Sequence, residues 1–323
     1  MKLKKPPFFI TENILNLSLD IAGKLGSIST LGLERPQINL RKSNQVRTIQ
    51  SSLAIEGNTL SVEQITDLID NIPVVGPQRD IQEVKNAIKV YSSVKECNCF
   101  SITSFKNSHK VLMTDLIDNP GSFRQSNVGI FTGNQVSHMA PPSKQVPRLM
   151  SELFMYLKTK DATALLIKAC VFHYELEFIH PFLDGNGRMG RLWQQLILMA
   201  YNPVFEYIPI ESLIKNNQTK YYEVLGSCDK RGDSTLFLEF MLQLIKEAVT
   251  EFYEGTIYSP QTKQERLEHA KKELKDNWFS RQDYMRLLKT VSSATASRDI
   301  VFAVDNKLLI KKGDKRTAQY KFH

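Results

Sequence analysis

Apolar side chains recur at helical spacing through most of the first 250 positions, and this pattern predicts a mainly helical molecule. It predicts helices over 12–24 and 43–55, the second running into Glu56-Gly57-Asn58, where Gly57-Asn58 is a stop signal. Ser61 followed three residues later by Gln64 reads as a capping box opening another helix. Further helices are expected over 80–96, from Val146 through Leu149, Met150, Leu153, Phe154 and Leu157, over 163–178, over 219–225 and over 236–252. Two stretches break the period. Residues 119–147 are rich in Gly and Pro, with short β-prone runs at 128–131 and 135–136, and predict a loop with a small hairpin turning at Gly133-Asn134. Around 254–264, Gly255, Ser259 and Pro260 suggest a linker. No internal repeat or low-complexity tract is present.

The last sixty residues follow another order. Helices are expected over 281–289 and 294–306, then alternating strands over 308–312 and 317–322 joined at Gly313-Asp314. Helix, turn, helix and β-wing is the order of a winged helix-turn-helix. Of the formal charge of +8, +7 falls in residues 261–323, so the basic surplus belongs to this tail. Such a surplus permits an anionic partner without requiring one. The composition, 42% hydrophobic and 24% charged, excludes a wholly disordered or collagen-like chain. Cys97, Cys99, Cys170 and Cys228 are too few for a disulfide scaffold and lack zinc spacing, so free thiols are expected. No run approaches the ~18 apolar residues of a membrane helix. The basic start is followed by too short an apolar stretch for export. The reading is therefore a cytoplasmic protein without a membrane partner.

Chemistry concentrates in His180-Pro-Phe-Leu-Asp184-Gly-Asn-Gly-Arg188-Met-Gly-Arg191. Pro181 disfavours helical geometry at His180, so the preceding helix should end there and present the imidazole from a loop. An imidazole titrates near neutrality and can take a proton from a hydroxyl. Asp184 is a hard oxygen donor suited to Mg²⁺ beside phosphates. Gly185, Asn186 and Gly187 let backbone N–H groups approach an anion where a helix begins, after a Gly-rich turn spanning 184–190. Arg188 and Arg191 share a helix face and offer two guanidinium forks to a polyphosphate. Together these residues fit transfer chemistry on a phosphate ester. The glycines also satisfy G-x-G-x-x-G, but that fingerprint requires a preceding strand, and the segment before it reads as helix.

The stretch resembles the signature of the Fic family, H-x-F-x-[D/E]-G-N-G-R-x-x-R, at every specified position. The resemblance implies a mainly α fold with a small β-hairpin flap that transfers AMP from ATP to a protein hydroxyl and releases pyrophosphate. It implies His180 as the base and Asp184 as the Mg²⁺ ligand. Gly185, Asn186 and Gly187 would form the anion hole, Arg188 and Arg191 would hold outer phosphates, and Phe182 would be a core anchor. Ser52-Leu-Ala-Ile-Glu56-Gly57 is similar to the family's inhibitory motif, [S/T]-x-x-x-E-[G/N], which implies that Glu56 pairs with Arg191 and holds the enzyme off. Tyr221-Tyr222 resembles a tyrosine pair lining the nucleoside pocket, with two core tyrosines as the competing reading. His173 is expected to be a buried structural histidine, and the role of His138 is open. The flap near Val136 to Ala140 would dock the target protein by strand addition.

This organisation places an N-terminal helical region with the inhibitory helix at 1–110, a catalytic core at 111–255 and a C-terminal winged-helix α+β domain at 262–323. DNA through 281–323 and a second copy of the chain are further candidate partners. In the tail, Ser293, Thr295, Ser297 and Arg298 would face a groove, and Lys311, Lys312, Lys315 and Arg316 would face phosphates. Two other functions stay open: removal of AMP with Glu56 positioning a water, and a DNA-binding regulator whose core senses nucleotide.

Overall fold

The computed structural model describes residues 5–32, 38–132, 135–161, 163–257, 262–288, 291–314 and 317–323. The chain divides into two compact units, one formed by Met1–Glu34 with Asn44–Thr250 and the other by Arg35–Ser43 with Glu251–His323.

The first unit is helical with one small hairpin. Its elements are α1 (Glu12–Thr30), α2 (Ile38–Ile55, whose first residues fall in the other unit), α3 (Val62–Ile69), α4 (Gln78–Ser92), α5 (Ile102–Leu112), the strands β1 (Gly129–Thr132) and β2 (Gln135–Met139), α6 (Val146–Lys158), α7 (Leu165–Ile179), α8 (Asn186–Tyr201), α9 (Ile210–Asn216), α10 (Gln218–Arg231) and α11 (Thr235–Ile257, whose residues from Glu251 on fall in the other unit). Thr11 caps α1 through its hydroxyl, and Ser61 and Gln64 close the capping box predicted for α3. In α7 apolar residues occupy nearly every face, which suits a central helix. It packs along α8, and an aromatic cluster of Phe105, Phe154, Phe172, Phe182 and Trp193 fills the space around the pair.

Several expected boundaries move. α1 continues to Thr30, and α2 begins at Ile38, before the expected 43. The Gly-rich turn is shorter than 184–190: α8 opens at Asn186, so Gly187 and Gly190 are helical. Likewise α11 runs through Gly255 to Ile257, because packing outweighs the ~1 kcal/mol a helical glycine costs. α5, α9 and α12 (Lys263–Leu274) were not anticipated. β1 and β2 pair antiparallel with a bulge between Ile130 and Phe131; the expected turn at Gly133-Asn134 lies outside the described residues.

The second unit holds α12, α13 (Arg281–Leu287), α14 (Ser293–Asp305), β3 (Leu309–Lys312) and β4 (Gln319–Phe322). β3 and β4 pair antiparallel with Leu309 opposite Phe322. Leu267, Phe279, Tyr284, Ile300, Leu309 and Phe322 form a core of its own. A buried bidentate pair, Arg266 Nε to Asp299 Oδ2 at 2.6 Å and Nη2 to Oδ1 at 2.8 Å, joins α12 to α14. Among the described residues no helix is long and apolar enough to cross a membrane, and the four cysteines are free thiols.

Candidate active site

α7 ends at Ile179, and His180 follows in the left-handed conformation (φ 49°, ψ 61°), its N–H still bonded to the Leu176 carbonyl at 2.9 Å. A non-glycine residue pays ~1–2 kcal/mol there. Pro181, which disfavours the helical alternative, and Arg124 together hold it in place. The buried Arg124 guanidinium donates from Nε to the His180 carbonyl at 2.7 Å, from Nη1 to Ser126 O at 2.9 Å, and from Nη2 to Pro141 O and Ile179 O. Its backbone N–H donates to Pro181 O at 2.9 Å. One side chain thus fixes the exit of α7 and the segment that follows β2.

The loop then turns over Phe182, whose ring is fully buried and stacked on the His109 imidazole at 3.5 Å. His109 Nδ1 accepts from the Gly121 N–H at 2.8 Å, so Nε2 carries the proton and donates to the Asp184 carbonyl at 3.0 Å. Burial pushes the His109 imidazolium down to about 4, so the ring is neutral over the ordinary pH range. Gly185 has φ +83°, and a Cβ there would sit 2.7 Å from Met113 Sδ, so both backbone and space demand glycine. Asn186 exchanges two hydrogen bonds with the Phe182 backbone, each 2.9 Å. Its amide side chain is therefore committed to the loop, and only its backbone N–H faces the opening of α8.

No side chain caps α8, so its first N–H groups and positive dipole end are open to an anion. The Glu56 carboxylate rests there. It lies so close to Gly187 that any Cβ at that position would overlap it. Arg191, buried in the second turn, donates from Nη2 to Glu56 Oε1 at 2.7 Å and to Ser52 O at 2.9 Å, and from Nε to Ser52 Oγ at 3.1 Å. Burial opposes the charge on Arg191, but Glu56, Tyr221 and Glu177 hold its pKa above the ordinary value. The last turn of α2 and the first turns of α8 thus meet through the residues singled out in both motifs.

Arg188 engages a different set: Nη2 bonds Asp184 Oδ1 at 2.9 Å and Nη1 bonds Glu83 Oε1 at 3.1 Å. Glu83 also accepts from Asn58 Nδ2 at 2.9 Å, which ties the residues after α2 into the same group. Arg79 reaches Asp184 Oδ2 at 3.3 Å. Asp184 is a part-exposed carboxylate, and among the described residues no three His, Cys, Asp or Glu side chains are grouped to hold a metal. A magnesium ion fits such a place when one carboxylate and nucleotide phosphates share its coordination.

The tyrosine pair splits. Tyr221 is 1% exposed and its hydroxyl lies 3.1 Å from His173 Nε2, whereas Tyr222 is 49% exposed. His173 is fully buried and donates from Nδ1 to Gln194 Oε1 at 2.6 Å. Asp229 accepts from the Tyr174 hydroxyl at 3.0 Å. The side chains of Val136 and His138 on the flap are outside the described set. Sequence reasoning missed Arg79, Glu83 and His109 and gave Arg124 no role in holding His180. The one available signal, Arg79 four residues before Glu83 on a helix, reads as an ordinary surface pair.

The helical core therefore gathers the Asp184 carboxylate, an uncapped helix start and the Arg188 and Arg191 guanidinium groups, with His180 at the exit of the preceding helix. Residues 99–198 match the Fic/DOC family. The crystal structure of a Fic family protein from Desulfovibrio desulfuricans is 37% identical, covers 99% of this chain and 98% of its own, and superimposes with a TM-score of 0.78. A Fic domain signaling protein from Bacteroides thetaiotaomicron, 20% identical, shares the fold with a TM-score of 0.59 over 76% of this chain and 98% of its own. The protein adenylyltransferase Fic of Nematostella vectensis is 26% identical over 66% of this chain and 49% of its own length. That of Drosophila erecta is 27% identical over 68% and 44%. This chain belongs to the Fic family; it spans about half the length of the curated relatives it matches.

Proposed function

We propose that this chain is a self-inhibited AMP transferase acting on a Ser, Thr or Tyr hydroxyl of a target protein, with ATP as donor. The relatives named protein adenylyltransferase support the reaction class. The observation that carries the self-inhibition is the Glu56–Arg191 pair seated on the open start of α8.

In this reading the N–H groups opening α8 and the guanidinium groups of Arg188 and Arg191 hold the triphosphate. Asp184 would hold a magnesium ion, which would supply neutralising charge to the phosphates. His180, fixed by Arg124, takes the proton as the target oxygen bonds to the α-phosphorus. The α–β phosphoanhydride bond breaks, and its electron pair leaves with pyrophosphate. The flap at 136–140 docks the target's backbone. With Glu56 in place, Arg191 is engaged and the anion seat is filled by a carboxylate, so ATP cannot lie in the reactive pose.

Labelled ATP and a lysate test this directly. Glu56→Gly should raise label incorporation well above wild type, and His180→Ala in that background should reduce it by about 10²- to 10⁴-fold. No gain in Glu56→Gly removes the inhibition claim, and undiminished transfer without His180 removes the base. Glu56 keeps a side chain 29% exposed, enough to hold a water, so the same carboxylate could serve AMP removal. AMP release from premodified target by wild type but not by Glu56→Gly would establish that direction. The second unit is read as a winged helix-turn-helix that makes contacts, with DNA as the candidate partner.

A further inference from the structure

The Asp184 carboxylate lies between two guanidinium groups that differ in freedom. Arg188 is buried and bound on its far side to Glu83, which Asn58 holds in turn. Arg79 comes from the first turn of α4, has a side chain 60% exposed, and makes longer contacts, 3.3 Å to Asp184 and 3.6 Å from Nε to Glu83. The four side chains close a ring in which Arg79 is the most exposed member and the more exposed of the two cations. Its charge also sits at a helix start, where the dipole disfavours a cation.

We propose that Arg79 is a counter-ion lock on Asp184: it neutralises the carboxylate in the resting protein and must leave before a divalent cation binds there. This rests on the reading of Asp184 as the metal carboxylate. A carboxylate spanned by two arginines is a poor cation ligand, because an arriving ion meets two positive charges within a few ångströms. Arg188 cannot withdraw without leaving the buried Glu83 carboxylate to the Asn58 amide and the long Arg79 contact alone, whereas Arg79 can turn into water at little cost, exposed pairs being weak. Nucleotide phosphates arriving with the cation give the released guanidinium an anion to meet. Arg79 is thus a positioning residue that sets the metal's access, and its effect is independent of the chemical step.

Titration of the full chain with Mn²⁺, reading free ion by electron paramagnetic resonance, tests this without turnover. Arg79→Gln is expected to tighten Mn²⁺ binding about threefold or more, while Arg79→Lys, which keeps the charge, stays near wild type. Asp184→Asn is expected to lose the site in either background. Equal affinity in wild type and Arg79→Gln, including no binding by either, overturns the lock. So does equal tightening in the Lys and Gln variants. If Asp184→Asn binds Mn²⁺ as well as wild type, the metal reading of Asp184 itself fails, an outcome distinct from failure of the lock alone.

Discussion

His180 shows how one strained residue is kept in place. Its left-handed backbone persists because Arg124 gathers the carbonyls of Ile179, His180 and Pro141 around one guanidinium. Arg124→Ala should therefore lower kcat for AMP transfer at least tenfold in the Glu56→Gly background while leaving the KM for ATP within about twofold, since it touches neither α8 nor Arg191. A pure KM effect in steady-state kinetics would contradict this. The candidate residues of this site were legible in the sequence as a group because His180, Asp184, Arg188 and Arg191 lie in one contiguous stretch of fixed spacing. Its supports were not. Glu83 is 105 residues from Arg188, His109 is 75 from Asp184 and Arg124 is 56 from His180, separations that no local pattern encodes. Asn186 reads as an anion ligand in the motif, yet its side chain bonds its own loop, a distinction visible only once the backbone is folded.

At the level of elements, α2 is held to its neighbours by a polar seam. Asn44 Nδ2 donates to Tyr207 O, Ser51 meets the Ser212 hydroxyl, Lys215 donates to Gln50, and Gln218 Nε2 donates to the Ile55 carbonyl. Glu211 lies fully buried in this seam, and burial pushes its carboxyl up to about 7, against backbone bonding and the charges and hydroxyls of Arg191 and Thr48. In the unfolded chain the same group ionises near 4.5. The folded state therefore binds more protons between those values, and stability falls as pH rises through this window, with the full cost present above about 7. Wild type and Glu211→Gln should have similar Tm values at pH ~4.5, and the variant should be the more stable by about 1–3 kcal/mol at pH ~8. Thermal melts at the two pH values decide it; a constant difference refutes the buried titration. The periodicity revealed α2 but not this seam, because its low amphipathic contrast gives no sign of which polar face is covered. α8 was mistimed for a related reason: Gly187 and Gly190 signal a turn locally, yet close packing under Glu56 and against α7 keeps them helical.

At the scale of the whole molecule, two cores divide the work of the chain. The order of elements in the tail was legible, since alternating strands after two short amphipathic helices leave few other arrangements. α12 was missed because its surface is so polar. The tail carries most of the net charge, but Lys311 pairs with Asp314, Lys312 lies over the Trp278 ring, and α14 presents Val301 at 57% exposure. Lys315 and Arg316 fall outside the described residues. A duplex retarded by the full chain, with affinity dropping at least tenfold between about 50 and 200 mM salt, is the result expected of phosphate contact. No retardation at low salt assigns the unit to protein contact. The proposed inhibition places its carboxylate, Glu56 on Gly187, within the reacting chain itself. A brake carried in the same polypeptide has a fixed local concentration, so it cannot be diluted away. On the proposed reading the fraction of molecules ready to react is the same in a crowded cell extract and in a nanomolar assay, and activation demands something that lifts one helical turn rather than something that merely lowers the amount of enzyme.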